Sequence, residues 1–491
     1  MKKILSIVFS LSTLALLAQN EVDALRYSQN FYGGTARFMS TGGAFSSIAA
    51  DVSAIGINPA SLGKYKGSEI TITPLFSLNN SSALYNSSTR DNFRYHFQMG
   101  NIGFVANHNN GDASDWKSVS FAFAYNRMND FSRLINIEGY NKENSMTDYF
   151  ASIANGKKVD EFDGFNEGLA WDSYLIDPDT NGTNLYKTAL PNYGEKQVKS
   201  LSSKGGMGEY LFSIAGNYKD VLFLGMSLGI QNVRYREFDN YSEIDDKDTI
   251  ASFNYFNFNK ELKTTGSGFN FKFGMIYTPI PWFRLGFAMH TPTFFNLSDS
   301  YSSSIKSSFN DNLHGDGKEI KSKQGVFDYQ LTTPFKAIAS AGFVLYSTNN
   351  EVKSPLASIS VEYEYVDYSM ARLYSDGYGF DLENGVIEKA YRAVGNIRAG
   401  AEIKLSDIYL RGGYGFYPSP YESDQANSSA NWSVYSFGIG IKGDYSYFDI
   451  GFNYSTFKEK YYLYDPSVTL TNAVSLTNNN VGMVATLGFR F

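Results

Sequence analysis

Apolar and polar residues alternate with a period of two along most of this chain, in runs of about ten residues. In 221–231 one face reads Leu222, Leu224, Met226, Leu228 and Ile230, and the other ends in Gly225, Ser227, Gly229 and Gln231. In 269–278 Phe269, Phe271, Phe273, Met275 and Tyr277 oppose Asn270, Lys272, Gly274 and Thr278, with Ile276 the one apolar exception. In 357–365 Ile359, Val361, Tyr363 and Tyr365 oppose Ser358, Ser360, Glu362 and Glu364. In 393–405 Ile397, Ala399, Ala401, Ile403 and Leu405 oppose Asn396, Arg398, Gly400, Glu402 and Lys404. Successive strand side chains point to opposite faces, so these runs predict strands with one apolar face. Soluble sandwiches alternate as well. Three details favour a barrel in lipid: the apolar faces are long, Tyr and Phe cluster near strand ends, and the charges keep to the other face. Lys or Arg facing lipid at the bilayer midplane would cost roughly 2–4 kcal/mol.

The pattern predicts strands over 68–78, 91–107, 117–130, 207–218, 221–237, 262–278, 282–298, 325–346, 356–372, 390–405, 408–418, 431–443, 445–458 and 480–491. Very short turns fall at Lys219-Asp220, 278–281, Ser406-Asp407 and Gly443-Asp444. Between them lie long polar loops, near 131–206, 238–261, 299–324, 373–389 and 459–479. Short turns on one side and long loops on the other predict an all-β, about 14-stranded antiparallel transmembrane barrel, turns periplasmic and loops extracellular. The last strand carries Val481, Met483, Ala485, Leu487, Phe489 and Phe491 on one face. A final amphipathic strand ending on Phe resembles the signal read by the barrel assembly machinery, which makes Phe489 and Phe491 the assembly signal.

Composition narrows the choice. The chain has 491 residues and no cysteine, which excludes disulfide scaffolds, thiolate metal sites and cysteine nucleophiles. A net charge of −7 argues against a nucleic-acid partner. Hydrophobic residues at 43% argue against global disorder. Lys2 and Lys3, an apolar run over 4–17 and the polar Gln19-Asn20 have the layout of a secretory signal peptide, 1–18, cleaved after about Ala18. No later stretch reaches the roughly 18 apolar residues of a transmembrane helix.

Residues 19–67 do not alternate. They are rich in small residues, Gly33-Gly34, Thr41-Gly42-Gly43-Ala44 and Ala49-Ala50, and end in Asn58-Pro59-Ala60-Ser61-Leu62-Gly63. A short helix is expected over 46–57, broken by Asn58-Pro59. A compact non-strand segment ahead of a barrel belongs in its lumen, as a plug, leaving 68–491 for the barrel.

Here the sequence resembles a known family. GGAFSSIAADVSAIGINPASLGKYKGSEIT (42–71) is similar to the N-terminal hatch of the FadL/TodX outer-membrane transporters of long-chain fatty acids and aromatic hydrocarbons. GMIYTPIPWFRLGFAMHTPTFFNL (274–297) is similar to that family's Gly-x-x-Tyr-x-Pro hairpin followed by Arg-x-Gly. The resemblance makes Gly42, Gly43, Asp51, Asn58, Pro59 and Ala60 hatch residues. It implies a monomer in the outer-membrane bilayer. Hydrophobic ligands are captured at the extracellular loops, pass into a lumenal pocket above the hatch, and leave sideways into the bilayer through a gap beside a kinked strand. No cofactor is implied. One departure stands out: the third predicted strand, 117–130, holds no Gly or Pro to kink it, and the nearest break signals are Gly100 and Gly103 in strand two.

The first long loop is the most loaded. Ser145-Met146-Thr147-Asp148 resembles a capping box opening a helix to about Ala154, and a second helical stretch runs over 160–175. Phe150, Phe162, Phe165, Leu169, Trp171 and Tyr174 either pack together as a cap or form a hydrophobic capture groove. Lys272, Arg284, Lys336, Arg398 and Arg411 are the strand cations that could anchor a carboxylate, or join Glu362 and Glu364 in a structural lumen network. His96, His108, His290 and His314 lack metal-site spacing, and no metal is expected. His290 with Ser298 is the only loose hint of a hydrolytic pair, without a third member, so no enzyme activity is expected. Passive uptake of hydrophobic molecules leads; a scaffold role in protein secretion is the alternative.

Overall fold

The computed structural model describes residues 20–48, 50–111, 113–310, 317–349 and 352–491. The expected signal peptide and His314 lie outside the described residues. The chain forms a closed antiparallel barrel of 14 strands. They are β1 Glu69–Tyr85, β2 Ser88–Asn109, β3 in two pieces, Trp116–Asp130 and Arg133–Tyr140, β4 Lys196–Tyr218, β5 Leu222–Ile244 and β6 Phe253–Ile280. Then come β7, Phe283–His290 and Phe294–Phe309, β8, Gly325–Thr332 and Lys336–Asn349, and β9, Val352–Asp367 and Arg372–Tyr374. The last are β10 Ala393–Leu405, β11 Ile408–Tyr417, β12 Trp432–Lys442, β13 Ser446–Tyr461 and β14 Val474–Arg490. Each strand pairs with the next. β14 closes on β1 from Glu69↔Arg490 to Leu84↔Ser475, and beyond it Ser68 and Phe491 exchange both backbone hydrogen bonds.

The alternation explains the closure. Leu224, Met226, Phe271, Phe273, Ile359, Val361, Ile397 and Met483 are exposed on the outside, while Lys272, Glu362, Glu364 and Arg398 are buried inside. Ile276, the apolar residue on the polar face, packs inward against Ala60 and Phe223. Trp116, Trp282, Tyr277, Phe448 and Phe489 ring the short-turn end, where a membrane interface favours aromatic side chains.

The strands outrun their predicted lengths on the loop side. The 79–90 stretch left out of the prediction is strand, joined by a two-residue turn at Asn86 and Ser87, both at positive φ. Above the membrane both faces meet water or polar loops, so the alternation that marks a strand fades there. For the same reason the first long loop shrinks to 141–195.

The N-terminal segment fills the lumen. It carries α1 Glu21–Ser28, capped by Asn20, and α2 Ala36–Ser40, capped by Thr35. The helix expected over 46–57 is absent among its described residues; there is only one 3₁₀ turn, Ala54–Gly56. Side-chain hydrogen bonding competes with the helix: Ser46 Oγ donates to Glu362 on the wall, and Asp51 accepts from the Ser53 amide at 2.8 Å. In the loop, α3 Met146–Ala154 has the expected capping box, but the second helix is only α4 Glu167–Asp172. A fifth helix, α5 Asp381–Ala390, lies between β9 and β10.

Candidate functional site

The hatch is fastened to the wall all round. Asn58 caps the 3₁₀ turn Pro59–Lys64 by accepting from the Ala60 amide. Its Nδ2 donates to the Met275 and Phe287 carbonyls of the wall, at 3.3 Å each. Gly274 stands beneath it, where a Cβ would collide with Asn58 Oδ1. Asp51 accepts from Thr35 Oγ1 at 2.7 Å and ties two parts of the hatch together. Gly42 and Gly43 turn the chain after α2 at positive φ, against the backbone of β10 and β11.

Of the lumen cations, Lys272 bonds this plug directly, while Arg398 and Arg411 bond wall carboxylates that Ser46 and Arg37 of the plug also reach. Lys272 Nζ lies 2.5 Å from Glu209 Oε2 and donates to the Gly56 carbonyl at 2.9 Å. Arg398 bonds Glu362 at 2.8 Å and Glu364 at 3.1 Å. Arg411 bridges Glu402 at 2.7 Å and Asp449 at 2.6 Å, and Arg37 of the hatch reaches the same Glu402 at 2.6 Å. His290 Nε2 pairs with the Ile57 carbonyl at 2.7 Å. Arg284 donates to Tyr346 Oη at 3.1 Å, near the short turns. Lys272, Arg398 and Arg411 thus each meet a described carboxylate, whereas Arg284 meets a phenol.

Above the hatch the wall is not sealed by backbone. β2 pairs with β3 only from Asn101↔Asn126 to Asn109↔Ser118. Higher up, β2 has its ladder with β1 alone. β3 follows β4 but bends inward at Phe131 and Ser132, so that its upper piece lies over the inner face of the β1–β2 hairpin. There Asn79 Nδ2 donates to the Ser132 carbonyl at 2.5 Å, and Asn86 Nδ2 to the Tyr140 carbonyl at 3.0 Å. A seam of side chains replaces the missing ladder. Alternate residues of β2 reach across: Arg90 to Glu138 at 2.7 Å, Asn92 to Asn136 at 2.6 Å, Arg94 to the Ser203 carbonyl at 2.9 Å, and His96 Nε2 to Asp130 Oδ2 at 2.6 Å. Outside, Phe93, Tyr95 and Phe97 are 68%, 66% and 70% exposed, because no neighbouring strand shields them.

The bend has a local cause. The β3–β4 register shifts between Arg127 and Asn129, opposite Gly208 and Met207; just beyond it Gly206 faces Asp130, and Gly205, at φ 118°, accepts from the Phe131 amide. A Cβ at Gly206 would collide with the Arg127 guanidinium. The hatch then takes the place of β2: the Gly33 amide donates to the Arg127 carbonyl at 2.8 Å, and the Phe31 amide to the Met128 carbonyl at 3.2 Å.

A cavity of about 140 Å³ lies at this junction. The hatch lines it with Phe31, Tyr32, Met39, Gly42 and Gly43, the seam with Gln98, Arg127, Met128, Asn129 and Asp130, and the far wall with Tyr417 and Trp432. Phe31 packs at a tilt of 33° against Trp432, ring centroids 4.0 Å apart, and meets Tyr417 edge-on at 5.3 Å. A second cavity of about 30 Å³, lined by Arg37, Asp51, Arg411 and Arg490, lies on the short-turn side of the hatch.

No family model and no curated protein matches the sequence. Solved structures do. A FadL homologue from Pseudomonas aeruginosa superposes with a TM-score of 0.55 at 12% identity, over 94% of this chain and 98% of that one. The toluene transporter TodX of P. putida superposes with a TM-score of 0.51 at 12% identity, over 94% and 99%.

The chain has the FadL-type fold.

In this FadL-type barrel the third strand bends without a Gly or Pro of its own, because the glycines that admit the bend belong to the fourth. The cap over the barrel mouth is a packed unit. Phe150 and Leu169 are buried in its core, Phe162 and Trp171 are half-buried around Tyr186, Phe165 rests on Tyr301 at 4.9 Å, and Tyr174 is exposed. The sequence carries no signal for Arg127 or Asp130, and His96 is weighed there only as a metal ligand. Arg127 sits at an odd position of β3, the outward face by alternation, and the register shift beside it swings it to the cavity.

Proposed function

We propose that this protein is an outer-membrane channel for passive uptake of hydrophobic small molecules, long-chain fatty acids or aromatic hydrocarbons. The rim of the cap, Phe162, Phe165, Trp171 and Tyr174 over buried Phe150 and Leu169, receives the ligand. The ligand drops into the cavity above the hatch and leaves between β2 and β3 into the bilayer. The hatch, held by Lys272, Arg398 and Arg411, closes the straight path. Transfer from water to lipid is downhill for an apolar molecule, so no energy source is needed. The barrel acts as a monomer and reaches the outer membrane through the assembly machinery, with Phe489 and Phe491 in its signal strand.

One observation carries this reading: β2 and β3 contribute Gln98 and residues 127–130 to the cavity wall at the level where they stop pairing. The test is extraction and mass spectrometry of protein purified in mild detergent. Fatty acids, hydrocarbons or other hydrophobes at near-stoichiometric amounts support it. An empty barrel that retains a protein partner favours the secretion scaffold instead.

A further inference from the structure

The cavity is not lined like a hydrocarbon site. Seven buried side-chain atoms on residues lining this space have no hydrogen-bond partner: Arg127 Nε, Trp432 Nε1 and Ser436 Oγ, which donate, Gln98 Oε1, Asn453 Oδ1 and, its ion pair with His96 apart, Asp130 Oδ2, which accept, and Tyr32 Oη, which can do either. Buried polar groups are normally satisfied, and a cluster of exceptions around one cavity marks what its occupant supplies. Arg127 is the only Lys or Arg among the described lining residues, and Asp130, beside His96, is the one carboxylate among them. Its Nη2 donates to the Gly205 carbonyl at 3.1 Å, and it makes no ion pair with a described carboxylate. The hatch cations Lys272, Arg398, Arg411 and Arg37 all do. The other end of the cavity is aromatic, with Phe31 and Trp432 in contact. Its volume, about 140 Å³, is close to the roughly 150 Å³ cavity that takes a benzene ring.

We infer that this cavity binds single-ring aromatic acids, with the carboxylate on Arg127, the ring against Phe31 and Trp432, and further oxygen substituents on the remaining polar atoms. This rests on the proposed uptake role and narrows its substrate. A bare hydrocarbon would displace water from these atoms and return no hydrogen bonds. A site built to hydrogen-bond its ligand discriminates strongly against analogues that lack the polar group.

The test is equilibrium binding to the full-length protein in detergent, by calorimetry, with 4-hydroxybenzoate, toluene and palmitate as probes. The expected result is saturable binding of 4-hydroxybenzoate at least about tenfold tighter than toluene. Arg127→Gln weakens the acid by about tenfold or more and leaves toluene unchanged, and Arg127→Lys restores part of the loss. Trp432→Phe keeps the ring, removes the indole donor and weakens 4-hydroxybenzoate several-fold; it stands in if the Arg127 variants fail the heat-shift test of barrel folding. Toluene or palmitate binding as tightly as the acid, or equal losses for acid and toluene in Arg127→Gln, overturns the inference and leaves the uptake role standing. No saturable binding of any probe overturns both.

Discussion

Replacing Lys272 with methionine removes one fastening of the hatch and leaves its partner behind. Lys272 Nζ lies 2.5 Å from Glu209 Oε2 and 2.9 Å from the Gly56 carbonyl, and both charged side chains are enclosed. Gln231 and Asn270 also donate to Glu209, at 3.1 and 3.2 Å, so the carboxylate keeps its place when the lysine goes. Breaking a buried pair by removing one member costs about 3–5 kcal/mol. Loss of the bond to Gly56 adds about 1–3 kcal/mol. The double variant Lys272→Met/Glu209→Leu removes both charges, and replacing a whole buried pair by apolar groups is close to neutral. It should regain part of the loss and retain the parts owed to Gly56 and to the Gln231 and Asn270 amides, which lose their acceptor. The assay is urea unfolding of the refolded barrel in lipid vesicles, read by heat-modifiable gel mobility and extrapolated linearly. A single variant that loses less than about 1 kcal/mol, or a double variant no more stable than the single, would refute this role for Lys272, because about 3–5 kcal/mol is expected for the isolated carboxylate.

Three further outcomes are expected. Leu224→Arg places a cation on the outward face of β5 and should destabilise the barrel in vesicles by about 2–4 kcal/mol; a neutral result would reject the lipid face. Deleting Phe491 removes the backbone clasp to Ser68 and the end of the proposed signal strand, and should lower the amount of barrel in the outer membrane; unchanged immunoblot levels would count against the signal. In the cap, burial pushes the Glu195 carboxyl up to about 8, with the neighbouring Glu243 charge adding to it. A raised carboxyl stabilises the folded cap fully below its unfolded pKa, near 4.5, and that stability is lost as pH rises through about 8. Hydrogen exchange across α3 should therefore rise from pH 5 to 9 more than base catalysis explains, and Glu195→Gln should abolish the excess; identical profiles would remove Glu195 from the account.

The barrel was legible in the sequence because the bilayer imposes a strong contrast between faces. Leu224 and Lys272 could be assigned from alternation alone, and the structure places them outside and inside. The contrast ends where lipid ends, so 79–90 and the upper halves of β4 to β6 read as loop. The hatch showed itself by its lack of alternation, but not its shape. The helix over 46–57 loses to side-chain hydrogen bonds with a wall distant in sequence, while α1 and α2 are too short to announce themselves. Nothing within β3 itself marks its bend. Its enabling residues, Gly205 and Gly206, stand opposite it in β4, and pairing partners are not visible in one sequence. Arg127 was hidden for the same reason, since a one-residue slip reverses the face a side chain takes.

The lateral route between β2 and β3 is the central claim, and closing the seam tests it. The chain has no cysteine, so His96→Cys with Asp130→Cys gives a unique pair of thiols across the gap. A short bis-methanethiosulfonate reagent links them, and a reductant releases them. Uptake of radiolabelled toluene and oleate is then followed in proteoliposomes before linking, after linking and after reduction. The account predicts that linking blocks uptake of both and that reduction restores it. Uptake that continues unchanged with the seam locked would contradict the lateral route.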